Sequence, residues 1–597
     1  MTTKAHGQLR RGQLLTTYGP GALFDLPRHA AIIGGLDAWP PTSALEEIEE
    51  PRLTRIIQHI TGISNPRLYA PPAADDALGG KPLGVGVYRF PEWFVVQEKD
   101  HSGGRIRSRR LVPLKALDKR SRFDGLPVVA TRFIAACSRG HVDNIDWRTF
   151  VHRGKTDCRQ QLWLDEHGTS GDLSDLKVRC ECGAERSMIE AMNRSAHPLG
   201  WCSGRRPWLG LDSHEECSEP LRLLIRTASN AYFPQVLVVL SIPEPDLGID
   251  AVVAELWNEL YIVEEIGDLR LIKRKADVAQ KLAPFTDQDI FAAIQRKQSS
   301  VSSPEKSPKL VELDAILAAP EGYDDDVPIN EDFHVRRLPD RVWRKSKLSD
   351  GVAAVYQLHR LREVLALIGF TRFEAFMPDI NGEYEQEVER AQLAREPKWF
   401  PAVENRGEGI FIQLDSAAVI RWLERPAVQR RLEELASGHT KWQERRRSKR
   451  PFPGGPYILL HTLSHLLIQS LALRCGYPMS DIRERIYADL ANQRYGILLY
   501  TGSPDASGTL GGLVQQARSL EEHLDYALRT GMFCSNDPIC AQHSPIYALE
   551  ERWLLGAACH GCALVGESSC EMRNDYLDRA LVVPVVGLEE AAFFAVE

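Results

Sequence analysis

Eleven of the cysteines in this 597-residue chain fall into two groups, six from Cys137 to Cys217 and five from Cys534 to Cys570. Thiols gathered this way point to disulfides or to a shared metal, with buried free thiols as the plain alternative, and the redox compartment decides between the first two. The segment from Met1 to Tyr18 is polar, with Arg10 and Arg11 and no apolar core, so no export signal is read there and a cytoplasmic location is expected. In a reducing cytosol the clusters point to metal rather than disulfides.

Composition excludes several classes. Hydrophobic residues at 43% and charged residues at 26% belong to a folded globular chain, not to a disordered, collagen-like or coiled-coil one. The length suits about four domains or subdomains. Lys plus Arg is 73 against 81 for Asp plus Glu, a formal charge of −8. Any nucleic-acid contact must therefore be a local patch, not a basic coat.

The expected fold class is mixed α/β and multidomain, with an N-terminal cysteine-rich, zinc-stapled module and a C-terminal α/β domain holding a second zinc site. Composition shifts divide the chain into a mixed region at 1–130, the cysteine-rich module at 131–220, an α/β segment at 221–295, a linker at 296–310, a helical region at 311–450 and a C-terminal domain at 451–597. The linker rests on the polar stretch RKQSSVSSPEKSP. Gln235 to Ile242 reads as a buried strand. Val355, Leu358, Leu361, Val364, Leu365 and Ile368 stand at helical spacing and predict an amphipathic helix. Ser416 to Leu435 predicts helix interrupted at Pro426, and Tyr457 to Leu473, with six polar positions among its apolar ones, predicts a core helix rather than a membrane span. A polar helix is expected from Asp481 to Asn492, then a strand at Gly496 to Tyr500, a glycine-rich loop at 501–513 and a helix from Val514 to Thr530. No Walker A loop occurs in the chain.

Cys559-x2-Cys562 is a knuckle that presents two thiolates to one ion, and a tetrahedral zinc needs two more. Cys540 and Cys570 are the preferred pair, Cys534 is the alternate, and His543 and His560 are outside candidates. An iron–sulfur cluster is the competing metal centre. In the N-terminal group Cys137, Cys180 and Cys182 with His141 or Cys202 predict a second tetrahedron, beside Cys158 and Cys217; buried free thiols are the alternative. Arg445, Arg446, Arg447, Lys449 and Arg450 are the candidate nucleic-acid contacts, against a solvated charged face.

No complete catalytic constellation is present. His461 and His465 stand at i and i+4 on one helix face, as zinc hydrolases place them, but no Glu follows His461 to act as base. Asp505 in the glycine loop, alone or paired with Glu484, completes the weaker reading of a metal-dependent nuclease or phosphodiesterase.

Segments spread in order along the chain resemble the DrmB family of the DISARM anti-phage systems. They include RRGQLLTTYGPGALFDLP (10–27), CSRGHVDNIDWRTFVH (137–152), CSGRRPW (202–208), HTLSHLLIQ (461–469), YTGSPDASGTLGGL (500–513), CSNDPIC (534–540) and GAACHGCALVGESSCEMRNDYLDRAL (556–581). The later half is also similar to the accessory domain that follows the helicase core in MrfA-like superfamily 2 helicases. The resemblance implies a non-enzymatic accessory subunit that works with the helicase DrmA on phage DNA, beside a DISARM methyltransferase. It also implies zinc on Cys540, Cys559, Cys562 and Cys570. A pure protein scaffold is the third reading.

Overall fold

The computed structural model describes residues 7–595 except 27–28, 73–83, 99–105, 169, 211, 243–248, 250–251, 254–255, 284, 301–306, 323–331, 347–349, 376–378, 383–388, 447, 504–511 and 548–550. The chain divides into two compact units: Met1–Val238 with Val364–Pro378 and Tyr384–Glu404, and Val239–Glu363 with Asp379–Glu383 and Asn405–Glu597. The expected boundary near residue 300 falls inside the second unit. Residues 296–300 continue the helix Asp287–Ser300, the next helix starts at Pro308, and 301–306 lie outside the described residues.

The first unit is mainly β. A seven-stranded sheet runs in the order Glu185–Ser187, Leu176–Cys180, Leu162–His167, Ile106–Pro113, Trp93–Val96, Leu126–Ala130 and Arg122–Phe123. Strand Leu176–Cys180 alternates buried and half-buried positions, so Leu176, Val178 and Cys180 face one core. Trp147, Phe150, Leu162 and Phe133 fill it. A smaller sheet joins Val142–Asp143, Phe133–Ala136 and Arg222–Ile225. Cys180 ends strand Leu176–Cys180, and Cys137 directly follows strand Phe133–Ala136.

In the second unit the hairpin Ile482–Asp489 and Arg494–Ser503 pairs with the Arg406 to Gln413 part of strand Trp399–Leu414. Helix Gly455–Cys475 packs on the hairpin and is buried on every side from Gly455 to Ile468. It is the core helix that the sequence predicts. Among the described residues it is also the one helix long and apolar enough to cross a bilayer. Helices Ser416–Leu423 and Pro426–Arg446 break at Pro426 as expected. Residues 532–595 hold only two short 3-10 turns among the described positions, so regular backbone pairing contributes little there.

Two expectations are corrected. Val355 to Ile368 is not a helix: it lies within the strand Val352–Thr371. Nearly every position of that strand is buried, including Gln357 and Glu363, so apolar residues on both faces imitate a helical period. Asp481 to Asn492 is likewise a strand, Ile482–Asp489, not a polar helix. Its charges are consumed by partners: Arg485 makes a buried pair with Glu312 at 2.5 Å, and Arg483 meets Glu363 at 2.8 Å. The strand at 496–500 and the helix after 514 stand where predicted, as Arg494–Ser503 and, chiefly, Leu520–Gly531.

Candidate metal centres

Four sets of four donors converge among the described residues, the ligand atoms of each lying within 4.8 Å of one another. Zinc–sulfur bonds of about 2.3 Å arranged as a tetrahedron put sulfurs about 3.8 Å apart, and a sulfur and a histidine nitrogen about 3.6 Å apart. These separations are the test of fit.

The C-terminal set is Cys534, Cys540, Cys559 and Cys562. Sulfur separations are 3.4 Å for Cys534–Cys559, 3.7 Å for Cys540–Cys562 and 3.8 Å for Cys559–Cys562. The knuckle is set locally, because the Cys562 amide donates to the Cys559 carbonyl and folds the two thiols to one side. Backbone amides point at the sulfurs: Asn536 N–H at Cys534 and Gly561 N–H at Cys559. Buried Arg579 adds positive charge near Cys540 and Cys562. Burial opposes ionisation of Cys559, but bonds from the Asn536 side chain and the Gly561 amide outweigh it and bring the thiol down to about 7. Cys540 is pushed up, by its hydrogen bond to Cys562 and by burial. Thiols this close cannot all ionise without a cation, and four thiolates suit zinc.

Cys570 is not in this set; the fourth sulfur is that of the alternate, Cys534. His543 bonds the Arg552 carbonyl instead, and His560 is exposed.

The N-terminal group forms two sets rather than one. Cys137, His141, Cys202 and Cys217 make the first. His141 Nδ1 lies 3.3 Å from Cys137 Sγ and 3.5 Å from Cys202 Sγ. Its Nε2–H donates to Glu215 Oε1 at 2.6 Å, the carboxylate support that commonly orients a metal-bound imidazole. The Gly204 amide donates to Cys202 Sγ, and this turn requires glycine: φ is +71°, and a Cβ would stand 1.6 Å from the Glu215 carbonyl oxygen. A hydrogen bond with Cys202, then burial, pushes the Cys137 thiol up to about 12.

His152, Cys158, Cys180 and Cys182 make the second. Cys158 and Cys180 sulfurs are 3.6 Å apart, and His152 Nε2 is 3.3 Å from Cys182 Sγ. His152 Nδ1–H donates to the Arg148 carbonyl at 2.8 Å, which leaves Nε2 free for a metal. Cys180 and Cys182 thus part from Cys137, His141 and Cys202, the residues with which the sequence groups them. The one sequence signal for His152 is its His-x5-Cys spacing to Cys158, next to the short helix Trp147–Val151.

His461, His465, Glu484 and Cys570 form the last set, wholly inside the second unit. The catalytic candidates His461 and His465 therefore face a carboxylate and a thiol in the core. Asp505 and the glycine loop at 504–511 lie outside the described residues. In the basic run, Arg445, Arg446 and Lys449 are exposed, Arg447 lies outside the described residues, and Arg450 is buried at 9% exposure over the Trp442 ring.

The family described as "MrfA Zn-binding domain" matches residues 463–563, which include the four-cysteine set. "Domain of unknown function (DUF8724)" matches residues 10–233, which include both N-terminal sets. The DISARM protein DrmB of Bacillus paralicheniformis is 33% identical over 477 residues, 78% of this chain and 82% of that protein. For the four-cysteine set, the donor chemistry and the zinc-binding family agree on zinc.

Proposed function

Because the chain belongs to the DISARM DrmB family, we propose that it is a non-catalytic, zinc-stabilised, cytoplasmic subunit of an anti-phage defence complex. It binds the superfamily 2 helicase DrmA and helps that helicase engage phage DNA, with a DISARM methyltransferase as a further partner. The observation that carries this reading is similarity to DrmB along most of both chains. The zinc-binding family match supports a helicase-accessory role for the C-terminal part.

Three zinc ions are assigned, one to the four-cysteine set and one to each of the two N-terminal sets of three cysteines and a histidine. Each set offers four donors, the complement of a closed structural site. Zinc supplies the fold with cross-links, and the residues around it supply orientation through N–H to sulfur bonds and the Glu215 and Arg148 contacts.

Phe533 and Ile539, which directly precede Cys534 and Cys540, are 72% and 78% exposed. Large apolar side chains left in water beside a rigid zinc loop suit a protein partner. The exposed Arg445, Arg446 and Lys449 are the residues assigned to phosphate.

The test is co-purification of the full chain with the helicase, followed by DNA affinity of the helicase with and without it across a salt series. A stable pair whose DNA affinity and salt dependence exceed those of the helicase alone supports the subunit reading. Pairing without any change in DNA affinity leaves a scaffold. DNA cleavage by the purified chain with added divalent metal, lost in His461→Ala, overturns it in favour of a nuclease.

A further inference from the structure

We infer that His461, His465, Glu484 and Cys570 form a separate buried metal site in the second unit, a closed tetrahedron for a divalent cation of the zinc class. Neither the helix-borne histidines nor Cys570 belongs to the four-cysteine set, and His461 and Cys570 lie outside the span matched by the zinc-binding family.

The four donors converge on one point, the sulfur and the His461 nitrogen about 0.5 Å closer than a tetrahedral zinc would hold them. His461 Nε2 is 3.1 Å from Cys570 Sγ and 3.0 Å from Glu484 Oε1, and His465 Nε2 is 3.4 Å from the same oxygen. The two rings, one helical turn apart, stand at 87° to each other with centroids 4.6 Å apart, so both nitrogens reach one point.

Proton accounting favours a cation. His465 Nδ1–H donates to the Ala563 carbonyl at 2.8 Å, a bond that needs the proton on that nitrogen. In the neutral ring Nε2 is then a bare lone pair, and it is buried without a hydrogen bond. It faces Glu484 Oε1 at 3.4 Å, and the two lone pairs repel each other unless a second ring proton or a shared metal cation lies between them. Both His465 and the Glu484 side chain are 0% exposed, so water cannot intervene from bulk.

The supporting shell holds two of the ligands, Glu484 and Cys570. Glu484 is held by the Ser464 hydroxyl and by the Glu571 amide at 3.1 Å. Cys570 Sγ accepts from the amides of Met572 at 3.4 Å and Asn574 at 3.1 Å, as the sulfurs of the cysteine set accept from theirs. One thiolate, one carboxylate and two neutral imidazoles balance a divalent charge, which leaves no net charge in the core. The mixed N2OS donor set suits zinc, and full burial leaves no position for substrate or water. The role is structural: the ion ties helix Gly455–Cys475 to strand Ile482–Asp489 and to the irregular C-terminal segment.

The test is zinc K-edge absorption on the full wild-type chain, with elemental analysis of wild type and His465→Ala. This set holds one sulfur, whereas each of the other three holds three or four. A mean below three sulfurs per zinc is expected, with one zinc lost in His465→Ala and the mean rising above its wild-type value. A wild-type mean of three or more, or a folded His465→Ala that keeps its full zinc, overturns the inference. If His465→Ala does not fold, the wild-type mean alone decides. Helicase and DNA binding are read separately, so failure here is distinct from failure of the subunit reading.

Discussion

Glu215 Oε1 lies 2.6 Å from His141 Nε2, and this contact determines which ring nitrogen faces Cys137 and Cys202. The same carboxylate meets Arg206 at 2.7 Å and Arg139 at 3.6 Å, so its position is fixed from three sides. Glu215→Gln keeps the shape but weakens the acceptor. Outer-shell changes of this kind cost about 10- to 100-fold in metal affinity. Competition with a chromogenic zinc chelator is expected to show one ion per chain released at correspondingly lower chelator concentration, with the others unchanged.

The exchange of Cys570 for Cys534 gives a second prediction. Cys534→Ser is expected to remove one zinc and to expose residues 532–595 to proteolysis, because that segment has little backbone pairing of its own. Cys475, outside every donor set, supplies the control, and Cys475→Ser should leave the zinc content unchanged. Elemental mass spectrometry with limited trypsinolysis reads both. Zinc retained in full by Cys534→Ser would remove that cysteine from the site.

These two outcomes bear on what a sequence reveals. Cys559 and Cys562 are legible because a knuckle is local, and so is Cys137 with His141 across one tight turn. Cys180 finds Cys158 only through the antiparallel register Leu162↔Cys180, and register is a long-range property that spacing does not carry. The strand from Val352 to Thr371 misleads for a related reason. Glu363 looks like a solvent-facing charge, yet it is buried against Arg483, Asn405 and Tyr500, residues supplied by other strands. A pattern read as one apolar face is in fact two covered faces.

His523 gives a pH prediction. Burial, with nearby Arg474, holds its imidazole down to about 4, from an ordinary value of 6.5. The neutral ring donates Nε2–H to Gln516 at 3.0 Å. With the folded value depressed, its contribution is present above about pH 6.5 and is lost as pH falls toward 4, by at most roughly 3 kcal/mol. His523→Gln should therefore show a shallower loss of stability over that window than wild type. Acid also releases zinc, but it does so in both proteins, so the difference between their denaturation midpoints isolates the histidine. Parallel curves would place the titration elsewhere.

The basic run separates into residues that can meet phosphate and one that cannot. Arg445 is exposed, but its guanidinium is engaged by Glu551 at 2.5 Å and lies 5.0 Å from the centre of the Trp553 ring. DNA must compete with an exposed ion pair worth little in water, so Arg445 can be recruited at small cost. Arg450 is buried, and its guanidinium lies over the Trp442 ring at 5.6 Å, so its side chain belongs to the packing of helix Pro426–Arg446. Each phosphate contact contributes about 0.9 to the slope of log affinity against log salt. Arg445→Ala with Arg446→Ala and Lys449→Ala is expected to flatten that slope by about two to three for the helicase pair on duplex DNA. Arg450→Ala should instead lower thermal stability and leave the slope as it was. An unchanged slope in the triple variant would assign DNA contact to another surface.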